Sequence, residues 1–434
     1  NTGVGKDALT ANTTGVENVA LGSLSLSSNT VGQYNVGLGY RALATNVDGS
    51  RNTAIGYAAL AAHDPASETN TYNTAIGFHA GNVITTGVQN TLIGGLAGDS
   101  ITTSNNNTAL GYLALDGTDD GSSNVAVGYA SLRGNVGNSN TSVGNSALSS
   151  TSNTASDNTA VGGNALAANT TGAQNVAVGN DALAANTTGA LNTALGTAAL
   201  SANTTASYNT AVGYGSLDTN TTGAFNTAVG YAALDANTTG ATNVAVGAAA
   251  LDANTTGASN VGLGVNALGT NTTASNNTAV GHEALKLNTT GVQNVAVGTF
   301  ALDANTTANN NVAVGYQSLG VNTTGASNVA MGTSALQSNT TASNNTAIGM
   351  SALETNTTGT ENVGIGFQAL LTATTANSNT AVGMNSLALT TTGAANTAVG
   401  KSSLIANTTG ANNVAMGVNS LDSNTTGNYK VAIG

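Results

Sequence analysis

The stretch Asn175-Val176-Ala177-Val178-Gly179-Asn180-Asp181-Ala182-Leu183-Ala184-Ala185-Asn186-Thr187-Thr188-Gly189-Ala190-Leu191 ends where Asn192-Thr193-Ala194-Leu195-Gly196 begins the same phrase again. A phrase that returns at a fixed spacing is the signature of a repeat architecture, in which each unit buries its apolar face only against its neighbours. Aligned on Asn-[Thr/Val]-small-aliphatic-Gly, units start at Asn1, Asn18, Asn35, Asn52, Asn73, Asn90, Asn107, Asn124, Asn140 and Asn158. From Asn158 the step is 17 residues without exception to Asn413. That makes 25 complete units and the start of another at Lys430-Val431-Ala432-Ile433-Gly434. Written as positions 1 to 17, the consensus is N-[TV]-[AG]-[VIL]-G-x-x-[AS]-L-x-x-N-T-T-[GA]-x-x.

Positions 2 and 4 share one side of an extended strand, so Val178 and its counterparts are expected to face a core, with Ala177 at position 3 facing outward. Thr and Val exchange at position 2 because they are nearly isosteric, and a second short extended stretch ends on the leucine at position 9. Position 9 is Leu in all units but two, where Gly81 and Gly98 stand. The same two units carry Ile84 and Ile101 at position 12, so an aliphatic from the next corner fills the vacated space. Asn-Thr-Thr-Gly at positions 12 to 15 is turn chemistry. Ala206, Ala274, Ala308 and Ala342 at position 15 mean that a positive φ is not required there. A helical reading fails, because Gly and Asn-Thr-Thr interrupt every unit before an apolar helical face can form.

The fold class is therefore all-β, a parallel β-solenoid of 25 coils with a 17-residue period. At a coil spacing of about 4.8 Å it makes a rod roughly 120 Å long, with asparagines at positions 1 and 12 stacking into amide ladders. Residues 1–157 hold the less regular coils and residues 158–434 the regular ones, in one continuous rod. The longest step, Asn52 to Asn73, is 21 residues; its insertion near 63–69 holds the only proline, Pro65, and is expected to bulge as a loop. The steps of 16 and 18 residues around Asn140 keep phase across the pair.

Composition narrows function by exclusion. Only 6% of residues are charged, 7 basic against 19 acidic, for a net charge of -12. Nucleic acid is excluded as a partner, because phosphate binding needs clustered cations. With no cysteine there is neither a disulfide frame nor a thiolate metal site. No run of eighteen apolar residues offers a membrane span. The chain opens and closes on one phrase, as expected of an excerpt whose signal, anchor or tip would lie outside it. One coil has few aliphatic side chains to offset the ordering of its backbone, so chains are expected to pack side by side through the small residues at positions 3 and 8, with three chains favoured.

Repeats such as Asn226-Thr227-Ala228-Val229-Gly230-Tyr231-Ala232-Ala233-Leu234 resemble the head repeats of the YadA-like trimeric autotransporter adhesins and the related repeats of bacteriophage tail fibres. The resemblance covers every unit. It implies a left-handed parallel β-roll from each of three chains, a homotrimer assembled into an extracellular fibre on a cell surface or phage virion that binds host cells, matrix or glycan. A self-assembling extracellular filament remains open beside it. End-to-end assembly is a separate expectation, from the lack of capping segments that solenoid ends need against edge-to-edge association.

Residue by residue, nothing points to catalysis, a cofactor or a metal. His63, His79 and His282 are expected far apart in the rod, without an acidic companion at ligand spacing, and read as surface or corner residues. Asp119-Asp120, near Asp116, could offer oxygen ligands to Ca²⁺ but reads as a solvated loop. Single acids at position 10, as in Asp235, Asp252 and Asp303, lack the paired geometry a glycan hydrolase needs. Asn-Thr-Thr matches the N-glycosylation pattern in 15 units, including Asn12, Asn186 and Asn237, and the turn alone accounts for it. Tyr40, Tyr57, Tyr112, Tyr129, Tyr214, Tyr231 and Tyr316 all occupy position 6, read as a partly buried, tolerant corner. Stacked threonine rows raise a rival function, an ice- or glycan-binding solenoid.

Overall fold

A computed structural model describes residues 1–117, 121–134 and 137–434. Every regular element among them is a β-strand, and the expected parallel β-solenoid is present, one coil per 17-residue repeat over about 25 turns. The chain forms two compact units, Asn1–Gly215 and Ser216–Gly434. The first holds every irregular coil; its strands run from Thr2–Val4 to Thr210–Val212. In the second, strands recur at a constant step from Thr227–Val229 to Val431–Ile433.

Each coil contributes one three-residue strand at positions 2 to 4, paired in parallel with the next coil, as Val176 with Thr193 and Ala177 with Ala194. The 16- and 18-residue steps do hold phase, since Thr141 pairs with both Val125 and Thr159. The second extended stretch expected before position 9 is instead a run of turns, built from left-handed residues at positions 7 and 9 such as Asp181 (φ 57°) and Leu183 (φ 52°). Alternating the sign of φ curls the chain while its amides still reach other coils. Leu183 donates to the Ala199 carbonyl of the following coil at 3.0 Å, and Asp181 to the Gly163 carbonyl of the preceding one at 2.9 Å. The inter-coil ladder therefore runs around the corner as well as along the strand, satisfying backbone groups that a thin interior could not leave unpaired.

The strand faces the opposite way from the sequence reading. Ala177 is fully buried, whereas Val176 is 38% exposed and Val178 half-buried; inner position 3 and outer positions 2 and 4 hold from coil to coil. The reason is room. Leu183 at position 9 turns inward and is fully buried, and with Asn175 and Asn186, also fully buried, it leaves space for no more than Ala, Ser or Gly at most position-3 sites. A Cβ placed on Gly262 would touch the Leu251 Cγ of the preceding coil at 3.3 Å. Threonine at position 2 thus needs no interior partner. The small residues at positions 3 and 8 are core residues, which removes them as a surface through which chains could meet. Where position 8 is serine, its hydroxyl donates to the position-3 carbonyl of the next coil, as Ser318 does to Ala330 at 2.9 Å.

The exchange of leucine for glycine is a packing swap, with a third participant. A Cβ on Gly81 would meet Leu92 Cδ1 at 2.7 Å and Ile84 Cδ1 at 3.0 Å, and one on Gly98 would meet Leu92 Cδ2 at 2.8 Å and Ile101 Cδ1 at 2.9 Å. Leu92, which stands where other coils have Ala, Gly or Ser, fills the space left by both missing leucines.

Candidate functional surfaces

Two asparagines per coil define the interior polar frame. At position 1, Asn175 Oδ1 accepts the backbone N–H of Asn192 at 2.9 Å, and Asn175 Nδ2 donates to the Gly189 carbonyl of its own coil at 2.9 Å. At position 12, Asn186 Nδ2 donates to Asn169 Oδ1 and to the same Gly189 carbonyl, both at 2.9 Å. The position-12 ladder is side chain to side chain; that at position 1 runs chiefly through the backbone. Asn186 and Asn237 are fully buried with both amide hydrogens engaged, so a glycan on either nitrogen would displace interior bonds.

The outward surface is a set of columns. Positions 2 and 4 present Thr or Val beside Val, Ile, Leu or Met, without one charged side chain in the chain. Position 13 threonines close on the ladder, as Thr187 Oγ1 donates to the Thr204 carbonyl at 3.0 Å, while position 14 threonines such as Thr188 are exposed. The position-6 tyrosines are exposed, from 42% at Tyr40 to 63% at Tyr231, and not partly buried as their position suggested. Neighbouring rings stack from coil to coil, Tyr40 on Tyr57 at 5.2 Å and Tyr112 on Tyr129 at 6.0 Å between centroids.

The three histidines have different surroundings. His79 lies in the Tyr57 and Phe78 stack, with Nδ1 at 4.0 Å from Asp99, an acidic companion the sequence did not reveal. His282 meets Phe300 edge-on. His63 corrects the reading of a surface residue: it is fully buried at position 12, where it replaces the ladder asparagine. Its Nε2 lies 3.2 Å from Thr71 Oγ1, and that hydroxyl lies 2.7 Å from Asn52 Oδ1. Burial lowers the His63 pKa to about 4, and its Nδ1 is buried without a hydrogen-bond partner. Asn46 Oδ1, which the next coil's amide would otherwise serve, is left without a partner.

Asp235, Asp252 and Asp303 have pKa values raised mainly by burial; for Asp235 the neighbouring Asp218 and Asp252 carboxylates add to the rise. Asp116 holds Arg133 at 3.9 Å, and Asp119-Asp120 lie outside the described residues. Among the described residues no three His, Cys, Asp or Glu side chains cluster as metal ligands would, and no helix is long and apolar enough to cross a membrane.

The insertion supplies what sequence reasoning missed. It does more than bulge as a loop: Thr69–Asn70 pairs with Gly49–Ser50 as a small second sheet, and Pro65 is buried. Beside this pair lies a cleft of about 340 Å³ lined by Tyr34, Arg51, Glu68 and Asn70 among others. Tyr34, Arg51 and Tyr72 are the last residues of three successive coils, each directly before the next coil's position 1, a coincidence visible once the repeat is aligned. No family model matches the chain, and no curated protein is similar to it.

Proposed function

We propose that this chain is a structural segment of an extracellular fibre, of the surface-adhesin or phage tail-fibre kind, in which three copies lie side by side and carry a binding tip or meet a cell surface themselves. The outward strand face carries this reading. Rows of Thr or Val at position 2 and Val, Ile, Leu or Met at position 4 repeat without a charge, and leave side chains such as Leu195 (46%), Met331 (41%) and Met416 (43%) open to solvent. Apolar surface in such continuous rows marks an interaction site. A partner that matches it coil after coil must share its axial spacing, which another copy of the chain does by construction.

The test is the mass in solution by light scattering, with Val229→Asp and Val280→Asp introduced together into the position-4 row. The expected result is three times 41.9 kDa for the native chain and a shift to single chains for the double variant. A native mass of 41.9 kDa at high concentration overturns the reading. The exposed threonines at position 14 then favour the second reading, and a single chain that inhibits ice recrystallisation would establish it.

A further inference from the structure

The cleft beside the insertion differs in chemistry from every repeating column. Its back wall is fixed: Gln33 N–H donates to Ser50 Oγ at 3.0 Å, and buried Thr71 Oγ1 lies 3.1 Å from the Ser50 carbonyl. The Arg51 guanidinium lies over the Tyr34 ring at 4.8 Å and the Tyr72 ring at 5.8 Å, while its Nε donates to Asn70 Oδ1 at 3.0 Å. Ring contacts and that bond set its plane, yet it makes no ion pair among the described residues. Glu68 lines the same cleft and accepts instead from Gln33 Nε2 at 3.4 Å. Tyr34 and Tyr72 remain 41% and 50% exposed.

A fixed cation and a carboxylate that share a cleft without pairing select an occupant able to satisfy both. A carboxylate ligand would suit Arg51 and be repelled by Glu68; an ammonium would do the reverse. Adjacent hydroxyls do both at once, one oxygen accepting from the guanidinium and its neighbour donating to the carboxylate, with the Gln33 and Asn70 amides offering further donors and acceptors. Exposed tyrosine rings beside them suit the C–H face of a pyranose. The volume matches a small-ligand site. We propose that this cleft binds a neutral sugar residue, a hexose or N-acetylhexosamine at the end of a glycan. The assignment is independent of the fibre reading.

The experiment is saturation-transfer NMR on the whole chain with the methyl glycosides of glucose, galactose, mannose and N-acetylglucosamine as probes. The expected result is transfer to the ring protons of at least one, with a dissociation constant of roughly 1–10 mM, a weak-affinity range. Tyr72→Asn and Glu68→Gln should each weaken it at least tenfold. Asn already occupies the same left-handed position at Asn106, Asn276 and Asn310, so Tyr72→Asn should leave the fold intact, and Glu68→Gln alters an exposed side chain isosterically. Tyr231→Ala, at an exposed ring in the other unit, should leave binding unchanged. No transfer to any glycoside overturns the proposal, as does binding that survives both cleft variants. Binding of glucuronate or glycine without binding of the neutral glycosides overturns it too.

Discussion

At the scale of single residues, conformation decides what composition does not. Glycine at position 5 has φ between +125° and +146° in every coil, and a Cβ on Gly179 would stand 2.4 Å from the Gly196 carbonyl oxygen above it. Glycine at position 15 recurs less strictly but is equally crowded, with 2.3 Å between a Cβ on Gly189 and the Ala206 carbonyl oxygen, and its φ is not positive. Ala206, Ala274, Ala308 and Ala342 stand at that position, so the backbone accommodates a methyl group there. Gly179→Ala should therefore cost more than about 3 kcal/mol, strain and clash together, whereas Gly189→Ala should cost less than about 1 kcal/mol; chemical denaturation of the two variants checks the contrast. Leucine at position 9 is the less legible residue. A left-handed leucine is a steric outlier, and no sequence pattern announces one. Yet that turn aims Leu183 inward and thereby reverses the strand. From Thr-Ala-Val alone the two parities are symmetric, and apolarity favours the wrong one.

At the scale of the coil, the asparagine ladder was legible because a polar residue recurring at a fixed period must stack on itself. Its interruptions show how it works. Position 12 is His63 in one coil and Ala373 in another, and the preceding asparagines, Asn46 and Asn356, have the buried Oδ1 atoms left without a partner. Ala373→Asn would offer an amide to Asn356 Oδ1 and to the Ala376 carbonyl, as Asn356 itself does to Asn339 Oδ1 and the Gly359 carbonyl, both at 3.0 Å. Satisfying a buried acceptor is worth about 1–2 kcal/mol, so the variant should melt higher than the native chain in a thermal scan; an unchanged or lower midpoint would refute this account of the orphaned oxygen. The irregular coil around the insertion was legible only as an interruption. That its Thr69–Asn70 segment would pair with Gly49–Ser50 depends on contacts between coils, which local turn chemistry does not specify.

At the scale of the molecule, titration acts with two signs. Folded His63 has a pKa of about 4 against 6.5 for the free side chain, so the unfolded chain binds a proton first as pH falls. Its contribution is complete above pH 6.5 and drains away toward pH 4, a loss of about 3 kcal/mol at about 1.36 kcal/mol per pH unit. The position-10 carboxylates run the other way. Their folded pKa values are raised, so the folded chain protonates first, and their contribution is present at low pH and lost as pH rises past the usual carboxylate range. His63→Asn should flatten the fall in melting temperature between pH 7 and pH 4. Asp235→Asn should raise the melting temperature at pH 7 and leave it unchanged at pH 3. The pair of scans separates the two groups.

The asparagine ladders also have a direction. In both of them the later coil donates and the earlier coil accepts: Asn192 N–H goes to Asn175 Oδ1, and Asn186 Nδ2 goes to Asn169 Oδ1. Every stretch of coils is therefore polar in its asparagines: its first coil offers amide donors to whatever lies before it, and its last coil offers acceptors to whatever follows.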